Sequence, residues 1–203
     1  MQRAIVWSIV AALFLAGRPA AAQPPFRIQF GAGLAVPTGS STITDGWNPG
    51  FTLSAGVLVS VGSRLAVTLD TGYARFGFDA TAYELANVEQ FPNVNVTGND
   101  LYAVPVTAGA EFLLNSWGNT RPYMRADVGW TFTGVSKPSA SGPNANALQF
   151  PDPLDDGFGI GLGVGVRTLL TANSYLFADV MWRIAWTDPD PLSFVPIRVG
   201  VRF

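Results

Sequence analysis

Carboxylates and guanidiniums are the residues here that could do chemistry, and they recur at every second position of apolar stretches. Asp70, Glu111, Asp127 and Asp179 supply the acids; Arg27, Arg125, Arg167, Arg183, Arg198 and Arg202 supply the bases. Opposite charges brought together can move protons, hold a ligand or neutralise one another. Nucleophilic catalysis of the Ser-His-acid or Cys-His kind is excluded, because the chain has no histidine and no cysteine. The lack of cysteine also removes any disulfide framework. Gly159, Gly161, Gly163 and Gly165 carry Gly-x-Gly spacing. A phosphate-binding loop must end a strand and open a helix, and here the alternation runs straight on. "PDPLDDG" (151–157) and "DPDP" (188–191) offer oxygens to a hard cation. They lack the spacing of a calcium loop, so neither a metal nor a cofactor is expected. Mutual neutralisation is the reading left for the alternating charges.

The elements that must position them are strands. Period-two alternation predicts eight, over 26–36, 51–61, 64–78, 101–114, 121–133, 158–170, 175–187 and 194–203. The breaks alternate in length. Those at 62–63, 115–120 and 171–174 are short; those at 37–50, 79–100 and 134–157 are long, with 188–193 the shortest of that group. An even number of antiparallel strands puts both termini at the end with the tight turns. The predicted fold is therefore all-β: a single eight-stranded antiparallel up-and-down transmembrane β-barrel with short periplasmic turns and longer extracellular loops.

Each strand has two unlike faces. Phe158, Ile160, Leu162, Val164 and Val166 oppose the glycines and Arg167. Leu176, Ala178, Val180, Trp182, Ile184 and Trp186 oppose Phe177, Asp179, Met181 and Arg183. A soluble lipocalin-like barrel alternates too, with its apolar set inside. Three features favour apolar-out. The second set is glycine, alanine and threonine with isolated charges, a poor water-facing surface and a plausible filled lumen. Aromatics fall near both ends of the apolar set: Trp130, Phe132, Phe158 and Trp186 toward the loops, Phe26, Phe112, Trp117 and Phe203 toward the turns. A closed barrel leaves no unpaired edge, which lipid demands.

Composition agrees. Charged residues are 13% of the chain, about half the level of a soluble domain. Lys137 is the single lysine. At the front, Arg3 precedes an apolar run from Ala4 to Ala16 and then Ala20-Ala21-Ala22. That is the layout of a signal peptide, predicted to be cleaved after Ala22, and the run is shorter than a spanning helix needs. The expected division is a signal peptide over 1–22 and a barrel domain over 23–203. Loss of Arg3 and Arg18 would leave ten basic against fourteen acidic residues, a net charge of −4.

"RPYMRADVGW" (121–130), "FGIGLGVGV" (158–166), "LFADVMWRIAWTD" (176–188) and "PIRVGVRF" (196–203) together resemble the eight-stranded, OmpA-like outer membrane β-barrel family, which includes the opacity-type surface proteins. The resemblance covers the whole of 23–203. It implies a location in the bacterial outer membrane, outer membrane lipids as surroundings, and the barrel-assembly machinery as a partner during biogenesis. The alternating Ile197, Val199, Val201 and Phe203 are similar to the signal that machinery reads, so the last strand is expected to be both tag and closing strand. OmpA carries a peptidoglycan-binding domain after its barrel; nothing follows Phe203 here, so no wall tether is expected. Barrel enzymes of this size class, the lipid A deacylases, palmitoyltransferases and proteases, use a histidine, so this chain is not expected to be an enzyme. Nucleic acid is not expected as a partner.

Inside the barrel, Asp70, Glu111, Arg125, Asp127, Arg167, Asp179, Arg183 and Arg198 are expected to form a charge network. Neighbouring strands suggest Glu111 with Arg125, Asp127 with Arg167, and Asp179 with Arg198. A two-signed network removes most of the cost of a charge at membrane depth. An eight-stranded lumen is only wide enough for side chains to fill, so a plug is expected, with a narrow gated channel for small solutes as the alternative. The loops hold Asp45, Asp79, Glu84, Glu89, Asp152, Asp155, Asp156, Asp188 and Asp190 against Lys137. They point to a structural and surface-interaction role through an extracellular ligand.

Overall fold

The computed structural model describes residues 26–40, 44, 46–79, 95–97, 100–115, 117–134, 139–141 and 154–203. Residues 1–22, and with them the expected signal peptide, lie outside the described residues, as do Asp45, Glu84, Glu89, Lys137 and Asp152. The described residues form ten strands, the eight long ones built on alternation of branched and aromatic residues with small or polar ones. They are β1 (Phe26–Thr38), β2 (Trp47–Ser60), β3 (Leu65–Phe78), β4 (Asn95–Thr97), β5 (Leu101–Leu113), β6 (Thr120–Gly134), β7 (Ser139–Ser141), β8 (Gly157–Thr171), β9 (Ser174–Trp186) and β10 (Leu192–Arg202).

Eight of them close into an antiparallel barrel in the order β1-β10-β9-β8-β6-β5-β3-β2. These are the eight predicted strands, with ends shifted by four residues at most. The last strand closes the wall: β10 pairs with β1 from Gln29 opposite Arg202 to Thr38 opposite Ser193. Phe203 extends the ladder, its N–H donating to Ile28 O (2.9 Å) and its carbonyl accepting from Ile28 N (3.1 Å). With every wall strand paired on both sides, no edge remains to be satisfied in lipid.

The strands β4 and β7 were not predicted. They belong to the two longest loops and pair with each other, Asn95 opposite Ser141 and Thr97 opposite Ser139. The loops that leave β3 and β6 are thereby tied together outside the barrel. Three residues a side are too few to show a period, which is why alternation missed them.

The wall faces outward with its apolar set. Leu34, Leu69, Val128, Leu162, Val164 and Val199 are all exposed at mid-strand, and the two aromatic belts named above are exposed at their respective ends. The charged set points inward and is buried. Among the described residues no helix is long and apolar enough to cross a membrane; this chain crosses with strands.

Candidate functional site

The lumen is filled in two zones. The middle and the turn end hold the charges. Arg125 ion-pairs with Asp70 and approaches Asp127, its own strand neighbour, at 3.4 Å. Arg183 reaches Asp127 at 2.8 Å. Arg198 meets Asp179 through two bonds of 2.8 Å. Arg167 and Arg202 both hold Glu111, at 3.3 and 2.8 Å. Gln29 donates to Asp70, and Tyr123 donates to Asp179 at 3.1 Å while accepting from Arg202 at 3.2 Å.

Of the suggested pairs, Asp179 and Arg198 stand opposite each other in register and bond directly. Glu111 and Arg125 also stand opposite, yet Arg125 turns to Asp70 on β3. Asp127 takes Arg183 on β9, and Arg167 takes Glu111; the suggested pairing of Asp127 with Arg167 is corrected. The reason is reach. An arginine side chain is long enough to cross a narrow lumen, so partners two strands apart compete with the nearest neighbour. Arg202 and Glu111 stand on opposite walls, four strands apart by either route. Arg125–Asp70, Arg183–Asp127, Arg167–Glu111 and Arg202–Glu111 are therefore struts across the lumen, while Arg198–Asp179 ties neighbouring strands.

The glycine stripe makes those struts fit. A Cβ at Gly165 would sit 2.5 Å from the Tyr123 ring, and one at Gly200 would sit 2.6 Å from Phe177. Small residues on one wall thus receive the ring from another. Arginines stack on these rings: Arg27 and Arg167 lie over Tyr175 at 4.9 and 5.1 Å, and Arg202 lies over Phe177 and Tyr123 at 4.7 and 4.8 Å. Such contacts add to the ion pairs when water is excluded.

The loop end of the lumen is different, and sequence reasoning missed it. Ala35, Trp47, Ala74, Phe76, Leu101, Ala103, Leu154, Leu192 and Phe194 form one buried apolar cluster. Phe76 of β3 meets Phe194 of β10 edge to face, with centroids 5.6 Å apart. Trp47 meets Phe78 in the same manner at 6.4 Å. Leu154 comes from outside the wall. Its carbonyl accepts from Thr133 Oγ1 (2.8 Å), Asp156 Oδ1 accepts from Thr133 N (2.8 Å), and Asp155 N donates to Asp188 O (2.9 Å). The signal was available: Phe76 and Leu101 share the inward phase of Asp70 and Glu111, and Phe194 that of Arg198. Between the two zones, a void beside Thr52, Asp70, Thr107, Arg183, Phe194 and Arg198 has room for about one water molecule.

Above the cap, the described carboxylates Asp79, Asp100, Asp155, Asp156, Asp188 and Asp190 face one described cation, Arg75, which pairs with Asp100. Among the described residues no three metal-binding side chains gather in a way that could hold an ion. Of the expected assembly signal, Ile197, Val199 and Phe203 are exposed on the outer wall and Val201 is partly so.

The fold is shared with solved barrels. Neisserial surface protein A is similar at 17% identity and a TM-score of 0.56, over 90% of this chain and 98% of its own. OprG from Pseudomonas aeruginosa is similar at 11% identity and a TM-score of 0.54, over 89% and 97%. At these identities the likeness is one of fold alone. No curated protein matches the chain in sequence. Residues 8–203 match the outer membrane protein beta-barrel domain, and the chain belongs to that family of bacterial outer membrane barrels.

Proposed function

We propose that this barrel is a closed scaffold that presents acidic loops at the cell surface, with its lumen a structural plug. The observation that carries the reading is the pairing of a sealed lumen with a one-signed loop end. Struts of both signs fill the middle, an apolar cluster fills the mouth, and the described loop residues carry six carboxylates against Arg75. A barrel that conducts nothing still fixes its loops in place, and the β4–β7 pairing holds two of them together. One-signed loops favour a cationic partner through complementarity and steering. Export by the segment 1–22, handling of β10 by the barrel-assembly machinery and a lack of enzymatic activity are parts of the same reading.

The test compares cells bearing the wild-type barrel with cells bearing Asp155→Asn, Asp188→Asn and Asp190→Asn together. Asp156 is left alone because its carboxylate holds Thr133 N. Retention on an immobilised lysine-rich protein layer should fall several-fold in the variant at equal surface amount. Equal retention would sink the loop reading. A gated channel is the second reading, favoured by the small void beside Asp70 and Thr107. It requires the apolar cap to part.

A further inference from the structure

The turn end of the lumen carries an imbalance that the struts do not remove. In the middle, Asp70, Asp127 and Asp179 match Arg125, Arg183 and Arg198 one for one. At the turn end, Glu111 is the one carboxylate side chain among the described inward residues and holds Arg167 and Arg202, while Arg27 and Arg121 lie at the same end. Arg121 of β6 and Arg167 of β8 stand directly opposite in register, both in the inward phase. Like charges so placed, with Cβ atoms about 5 Å apart, destabilise a sheet. Arg27 lies within electrostatic reach of Arg121 and Arg202, and Arg167 within reach of Arg27 and Arg202.

Two of these groups have unused donors. Arg121 anchors its Nε on Gly118 O (3.0 Å), which leaves its two amino groups, and it has no carboxylate partner among the described residues. Arg167 is 4% exposed, yet its Nε has no partner. A guanidinium fork matches phosphate oxygens, and two forks facing each other can straddle one tetrahedral anion. An anion there would be held by donors from two neighbouring strands.

We propose that the turn-end mouth of the lumen is a seat for a phosphate-bearing anion, held between Arg121 and Arg167. The seat lies at the height of exposed Phe26, Trp117 and Phe203 on the outer wall, the level of membrane headgroups. The phosphate can therefore come from an anionic phospholipid of the periplasmic leaflet or from a soluble phosphate, and the experiment separates the two.

The refolded barrel is studied in maltoside micelles, which contain no phosphate. Thermal unfolding and the arginine Nε–H NMR signals are followed against inorganic phosphate, with chloride at equal ionic strength as control. A second series adds phosphatidylglycerol to phosphate-free buffer. A saturable rise of about 3 °C at roughly tenfold the dissociation constant is expected, with shifted Arg121 and Arg167 signals. A response to inorganic phosphate assigns a soluble anion; a response to phosphatidylglycerol alone assigns the headgroup. Arg121→Gln should unfold no lower than wild type in phosphate-free micelles, because it relieves the repulsion, and should lose the response. The proposal is overturned if neither phosphate source acts, if chloride acts equally, or if Arg121→Gln responds like wild type. It is also overturned if Arg121→Gln is simply less stable while the wild type stays silent, which would make Arg121 a brace for the Gly118 turn.

Discussion

The two ends of the lumen close the same barrel by opposite means. Toward the turns, arginines and carboxylates tie facing walls, and each tie depends on a charged partner. Toward the loops, Phe76, Phe194, Leu101 and Leu192 exclude water through contact alone. A charged strut is strong only while both ends are present, since a buried charge without its partner has no solvent to return to. An apolar contact loses only its own share when one residue shrinks. On the proposed reading the struts tie the walls and fill the middle of the lumen, and the cap seals its mouth without any charged partner.

Glu111→Gln is the sharpest way to strain this division. It strips two buried guanidiniums, Arg167 and Arg202, of their carboxylate and should cost about 4 to 5 kcal/mol, read as a lower urea midpoint in lipid. Conductance should stay at zero because the cap is untouched. Phe194→Ala comes next, at about 3 kcal/mol, and should act on the cap without moving the arginine signals of the turn end. Asp70→Asn should cost about 2 kcal/mol, less than Glu111→Gln, because Arg125 keeps Asp127. A larger loss in Asp70→Asn than in Glu111→Gln would break the picture of cross-lumen struts. Arg75→Gln is the smallest change. Its pair with Asp100 lies half in solvent and should contribute under about 1 kcal/mol.

The wall was legible in the sequence because a period of two must be satisfied at every residue of a strand in lipid. Phe158–Val166 and Leu176–Trp186 state their outer faces outright, and the tight breaks between strands fix which end is which. The identity of the buried charges followed from the same phase. Their partners followed only in part: the register neighbours Asp179 and Arg198 do bond, but phase gives a wall position and not the direction of a long side chain. Arg125 passes over Glu111, its register neighbour, for Asp70. The cap was obscured for another reason. Near the loops both faces are apolar, as in Leu101 beside Tyr102, so alternation weakens where the cap residues sit. Leu154 lies in a loop, and its place in the cap depends on bonds to Thr133 that no local pattern announces.

The most direct measurement is single-channel conductance of the refolded barrel in planar bilayers, after heat-modifiable gel migration confirms folding. Wild type, Glu111→Gln and the double variant Phe76→Ala with Phe194→Ala are compared. The account predicts silence from all three, because the cap still fills the mouth in Glu111→Gln and the struts still fill the middle in the double variant. Steady openings from any of the three would contradict it, and openings from Glu111→Gln with its cap intact would make the charges the gate.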